Sequence, residues 1–220
     1  MLLAACSLAA AGPASADVTG STSTGDVVLY GHCQQHPVTY DVLVGPGTAL
    51  WSVEIQMFDP DGIGSEGTVV GSATGSPTSG TVYKTFCGSE RSGTWTVRAT
   101  GFYELLPAVR IPVVLPETSF QVRPVATRAA LAEKSLGHGR YRLTTRVSEE
   151  TENGFARSNG VAVRLERLVR GEWKKVRGTT STTVRGAART TVHGRPGMTV
   201  RAVVPPRNNY SASTSRAVTL

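Results

Sequence analysis

Short runs of alternating apolar and polar residues fill this chain, and no stretch repeats at the helical period. Val27, Leu29, Gly31 and Cys33 alternate with Val28, Tyr30 and His32, which predicts a strand ending at Cys33. His36-Pro37 reads as a turn into a strand whose inner face is Val38, Tyr40, Val42 and Val44. Trp51, Val53, Ile55 and Met57, set against Ser52, Glu54 and Gln56, predict the next strand, closed by the turn Asp59-Pro60-Asp61-Gly62. A weak edge strand is expected at Val69-Val70. Residues 82–87 and 94–102 read as a strand pair, and 109–120 as the strand that follows.

The second half alternates as well. Tyr141, Leu143, Thr145 and Val147 face a core while Arg140, Arg142, Thr144 and Arg146 face solvent. Glu149 opens a long polar loop that reaches Gly160. Val161, Val163 and Leu165 then face inward, and Arg170-Gly171-Glu172 turns the chain into Trp173-Lys174-Lys175-Val176. Further strands are expected at 187–192, at 198–204 and, after Pro205-Pro206, at 210–220. The fold class expected is all-β, two sandwiches in tandem, and 220 residues suffice for two cores.

Charge marks where the two meet. The formal net charge is +7, but residues 17–122 hold four bases against ten acids. Residues 123–220 hold nineteen bases against six acids. The break falls at Arg123-Pro124, a Pro-marked linker. The expected domains are thus an acidic one over 17–122 and a basic one over 123–220.

Residues 1–16 are apolar and Ala-rich and end in Ala14-Ser15-Ala16, the small-x-small pattern of an export signal cleaved before Asp17. No Lys or Arg precedes the apolar run, so the natural start is expected upstream of Met1. Leu3-Ala4-Ala5-Cys6 also resembles a bacterial lipobox, and a lipidated Cys6 would make the chain a surface spacer at the membrane. With Cys6 in the leader, Cys33 and Cys87 remain as a disulfide pair in an oxidising compartment.

No catalytic constellation is found. His32, His36, His138 and His193 are scattered, and neither H-E-x-x-H nor G-x-S-x-G occurs. His32 and His36, near Cys33 and Asp41, are expected to be half-exposed strand-end residues. Asp59 and Asp61 have oxygens that suit calcium, but no third or fourth acid follows at ligand spacing, so D-P-D-G is read as a turn. No metal or cofactor is expected. Leu115-Pro116-Glu117-Thr118-Ser119 looks like a wall-sorting signal, yet Ser119 replaces its glycine and a full domain follows.

The hairpin V-A-V-R-L-E-R-L-V-R-G-E-W-K-K-V and the ending Y-S-A-S-T-S-R-A-V-T resemble Ig-like modules of secreted and surface proteins of actinomycete bacteria. Val163, Leu165, Arg167, Gly171, Trp173 and Val176 match the first motif. Tyr210, Ser213, Ser215 and Val218 match the second, while Val200 stands where the family has a tyrosine. In the first domain Gly93-Thr94-Trp95-Thr96-Val97 resembles the G-x-Y-x-C strand of immunoglobulin domains, with Val97 in place of the cysteine. The resemblance therefore implies a disulfide set differently from the family's inter-sheet bond, and Trp51 as core tryptophan.

The expected function is that of an exported, non-catalytic envelope or extracellular binding module. Its candidate contact residues are Arg140, Arg142, Arg146, Arg164, Lys174, Lys175, Arg189 and Arg201, all on expected solvent faces. An anionic wall polymer or polysaccharide is the expected partner, and nucleic acid is not, since no aromatic-basic reading motif occurs. The rival expectation is an enzyme inhibitor or accessory acting through the loop 149–160.

Overall fold

The computed structural model describes residues 17–106 and 109–220; the expected export segment, with Cys6, lies outside the described residues. Among the described residues there is no α-helix, only a 3-10 turn at Ser72–Thr74, and no helix is long and apolar enough to cross a membrane. The chain is all-β, built of antiparallel sheets. It divides into two compact units: one holds 17–27, Gln35–Thr85 and Gly93–Gln121, the other Val28–Gln34, Phe86–Ser92 and Val122–Leu220.

The first nine strands are β1 (Val18–Ser23), β2 (Val27–Leu29), β3 (Gln34–Val44), β4 (Thr48–Phe58), β5 (Thr68–Gly71), β6 (Ser79–Phe86), β7 (Gly93–Leu105), β8 (Val109–Val114) and β9 (Thr118–Pro124). They form a three-stranded sheet ordered β1-β3-β6 and a six-stranded sheet ordered β2-β9-β7-β4-β5, with β8 also on β7. The alternation read from the sequence is the one the burial follows: Val38, Tyr40 and Val42 of β3, and Trp51, Val53, Ile55 and Met57 of β4, all leave solvent. Trp95 is as buried as Trp51, and Val97 is fully enclosed.

Three local expectations give way to backbone chemistry. The strand expected to reach Cys33 stops at Leu29, where Tyr30 N donates to the Val28 carbonyl in a three-residue turn that ends the ladder. His36-Pro37 does not turn; β3 runs through it, because pairing with β1 ends at Thr39 and the absent Pro37 N–H breaks nothing there. The strand expected over 109–120 is two, β8 and β9, separated by Leu115-Pro116-Glu117. Asp59 closes its turn by accepting the Asp61 and Ile63 amides on Oδ1, at 2.9 and 2.8 Å.

The disulfide Cys33–Cys87 is formed, with Cα atoms 4.0 Å apart across a sequence separation of 54. Cys33 immediately precedes β3 and Cys87 immediately follows β6, neighbours in one sheet. It is a clasp on adjacent strand ends and not a bolt between sheets.

The C-terminal strands are β10 (Thr127–Gly137), β11 (Arg140–Thr151), β12 (Gly154–Arg157), β13 (Ala162–Val169), β14 (Glu172–Lys175), β15 (Ser181–Thr182), β16 (Ala187–His193), β17 (Thr199–Val204), β18 (Ser213–Thr214) and β19 (Val218–Thr219). One sheet is β10-β11-β12 with β16 also on β11; the other is β14-β13-β17-β18, with β15 on β13 and β19 on β17. The two share a core: Leu143, Val147, Ala188 and Val192 from the first meet Val163, Leu165, Val200, Ala202 and Val204 from the second. Each of the larger side chains adds roughly 1.5–3 kcal/mol by leaving water.

The expected loop 149–160 is a hairpin instead. β11 continues to Thr151 and β12 returns against it, pairing Glu150 with Phe155 and Ser148 with Arg157. Its residues are polar or exposed on both faces, so no apolar period announced it. Residues 210–220 likewise hold two short strands in place of one, interrupted where the Ser215 hydroxyl accepts the Ala202 amide at 3.0 Å.

Reducing the disulfide, or replacing both cysteines by alanine, should cost about 4 kcal/mol through the longer unfolded loop. Denaturant melts with and without reductant would measure this; equal midpoints would show that the clasp contributes nothing.

Candidate anion-binding face

Antiparallel register decides which cations stand together, because residues directly opposite share a face. On β11 the even positions point away from the core, so Arg140, Arg142 and Arg146 are exposed while Leu143, Thr145 and Val147 are buried. Arg146 sits opposite Ala130 and Ala187, Ser148 opposite Arg128 and Arg157, Thr144 opposite Ala132 and Arg189, and Arg142 opposite Lys134 and Thr191. Arg146 therefore has Arg128, Arg157 and Arg189 as its three cationic diagonal neighbours, roughly 7–8 Å away along the sheet.

These arginines line a groove of about 1290 Å³ together with Arg185. The floor is low because the residues beside Arg146 are small: Ala130, Ala187 and Gly186. Arg185 and Gly186 form the two-residue turn ahead of β16, with φ of 52° and 75°, the left-handed pair of a type I′ hairpin. Gly186 is required twice over. Its φ disfavours any side chain, and a Cβ there would come within 2.7 Å of the Arg157 Cβ. The turn is anchored where the Asn159 carboxamide oxygen accepts the Gly186 amide at 2.7 Å and the Gly186 carbonyl accepts the Val147 amide at 2.9 Å.

Among the described residues no carboxylate lines the groove, and none of Arg146, Arg157, Arg185 and Arg189 is in an ion pair. Arg128 stacks on the Phe155 ring, 3.5 Å from its centroid. The eight residues expected to form a basic face are thus divided. Arg140, Arg142, Arg146 and Arg189 stand on this sheet, whereas Arg164, Lys174, Lys175 and Arg201 belong to the opposing one.

On that opposing sheet Arg164, Lys174 and Arg201 are spent on structure. Glu166, only 9% exposed, accepts from Arg201 at 2.7 Å and lies 3.4 Å from Arg164. Arg201 also covers the Trp173 ring at 4.2 Å, and Lys174 sits 3.4 Å from Glu172. Lys174 and Lys175, being consecutive on β14, point to opposite sides.

Arg128, Lys134, Arg157 and Arg185 were not among the residues singled out from the sequence. A signal for the first two existed: Arg128, Ala130, Ala132 and Lys134 alternate with Ala129 and Leu131. Arg157 and Arg185 lie in a polar hairpin and a turn, and only the pairing of β12 and β16 with β11 brings them to the groove.

At the far end of β11, Glu150 binds Arg123 in two hydrogen bonds of 2.6 and 2.8 Å. Those bonds lead the causes that lower its pKa from 4.5 to about 2, partly opposed by burial and assisted by the Ala126 amide and by the charges of Arg123 and Arg128. The histidines do not form a cluster. His32 is exposed, 3.5 Å from Glu152, while His36 Nε2 meets the Thr24 hydroxyl at 2.7 Å and its ring stacks on Phe120. Burial pulls the His36 pKa down.

Two predictions separate spent from unspent charge. Arg146→Gln should raise stability at low ionic strength by about 0.5 kcal/mol and leave it unchanged in high salt, since like-charge repulsion is relieved. Arg201→Gln should lower stability by about 1–2 kcal/mol in either condition, because Glu166 loses its closest partner. Thermal melts at two salt concentrations read both, and equal signs for the two variants would refute the division.

The Glu150 pair predicts a pH dependence. Its folded-state pKa lies below the unfolded one, so its stabilisation is full above about pH 4.5 and fades as pH falls towards about 2. Arg123→Gln should remove that part of the acid loss, bringing the Glu150 titration back towards 4.5 by NMR. An unmoved titration would show that Arg123 is not its cause.

No protein-family model matches the chain and no curated protein matches it, so the functional reading rests on the chemistry of this face.

Proposed function

We propose that the chain is an exported, non-catalytic module of two Ig-like sandwiches that holds to anionic polymers of the cell envelope or its surroundings. The observation that carries this is the groove in which, among the described residues, no carboxylate lines the wall and Arg146, Arg157, Arg185 and Arg189 form no ion pair. Cations held about 7–8 Å apart repel one another, and an anion seated among them would relieve that repulsion. The contrast with the opposing sheet supports a contact role, because there Arg164 and Arg201 both meet the Glu166 carboxylate.

The Ig-like part of the reading is supported by where the motif residues fall. Val163 and Leu165 enter the shared core, Gly171 occupies the left-handed turn position between β13 and β14, and Trp173 lies under Arg201. The disulfide supports export, since such bonds persist in oxidising compartments.

Retention on purified walls of the producing cell tests the function. The mature protein should stay bound at about 0.05 M salt and be released by about 0.5 M, as screened charge–charge contacts require. Equal wash-off at both concentrations would end the envelope-binding reading.

A further inference from the structure

The outer face of β10-β11-β12/β16 carries charge at a regular interval. Successive rows across β11 lie about 6.8 Å apart, two residues of extended strand. Arg128 and Arg157 occupy the row of Ser148, and Arg146 the next. Arg189 follows in the row of Thr144, Arg142 and Lys134 share the row after it, and Arg140 ends the series. Every row from Ser148 to Arg140 thus holds a cation, over roughly 27 Å of strand. All but Lys134 are arginine, whose planar fork meets the two oxygens of a phosphate together.

We infer that this face binds a linear polyol phosphate, a phosphodiester chain with three carbons between successive phosphates, laid extended along β11. The inference rests on the anionic-polymer reading above and specifies the polymer. Two residues of polypeptide comprise six backbone bonds and span about 7 Å. One repeat of such a phosphodiester chain also comprises six bonds, from phosphorus through oxygen, three carbons and oxygen to the next phosphorus, and extends about as far. Phosphates and arginine rows therefore stay in step along the strand. In a polyuronate a rigid ring separates the charges, and its length, unrelated to the strand period, drifts out of register.

Single-stranded nucleic acid has the same six-bond repeat, but its binding sites add aromatic platforms for the bases. Among the described residues these rows carry no Phe, Tyr or Trp; Phe155, one row beyond, lies under the Arg128 guanidinium. Beside the phosphate contacts the rows offer one imidazole, His193 opposite Arg140, and no Phe, Tyr or Trp platform, which favours the polyol.

Fluorescence anisotropy with labelled poly(glycerol phosphate) of two, five and ten repeats tests this, with polygalacturonate and oligo(dT) of matched charge as competitors. Affinity should rise at least about tenfold from two repeats to five, as rows fill, and only about twofold from five to ten. Arg146→Gln and Arg189→Gln should each weaken the five-repeat probe by about three- to tenfold. Arg146→Lys should recover part of that loss, and Lys175→Gln, on the opposing sheet, should change nothing. Thermal melts of each variant confirm that the comparison is between folded proteins.

Lys175→Gln as harmful as Arg146→Gln, or affinity independent of repeat number, would overturn the proposal. Oligo(dT) binding more tightly than the polyol phosphate would reassign the face to nucleic acid. Polygalacturonate binding through Arg146 while poly(glycerol phosphate) does not would overturn the phosphate assignment and leave the envelope-binding function standing. Failure of all three polymers at low salt would remove both.

Discussion

β11 answers two opposed demands on alternate residues. Leu143, Thr145 and Val147 must leave water to fill the space between two sheets, and Arg140, Arg142 and Arg146 must stay in it. The pleat alone satisfies both, because successive side chains point to opposite faces. A slip of one residue would bury three guanidinium groups with no carboxylate to meet them, at a cost far above the marginal stability of a domain. The core therefore enforces the register, and the register in turn sets the spacing of the cations. Cationic face and hydrophobic core are two sides of one constraint.

The same logic sets the charges of the opposing sheet apart from these. On β13 and β17, Glu166 stands directly opposite Arg201, so a potential cation row becomes an internal pair capped by Trp173. One carboxylate at one position separates a structural arginine from a free one. Net charge, even when it is as lopsided as in this chain, carries no information about that distinction.

Much of the architecture was legible because burial obeys a period of two. Trp51, Val53, Ile55 and Met57, or Val163 and Leu165, announce their faces without knowledge of any partner strand. Legibility failed where the period was silent or outvoted. The hairpin of β11 and β12 beyond Ser148 is polar along β11 and exposed along β12, so its alternation has no buried apolar face to display. At Leu29 a three-residue turn overrode a run that still alternated, and at Pro37 a strand survived a residue that usually ends one, because no β1 partner awaited its amide.

From residues alone came the all-β class, the pairing of Cys33 with Cys87, the acidic and basic halves, and half of the arginine face, since local alternation and composition are properties of the chain itself. Tertiary structure decided the rest. It placed the disulfide on adjacent strands of one sheet, divided eight candidate cations between opposing sheets, and brought Arg128, Arg157 and Arg185 beside Arg146. Those outcomes depend on which strands pair and in what register. That is settled by non-local burial and ladder geometry, which no single segment encodes.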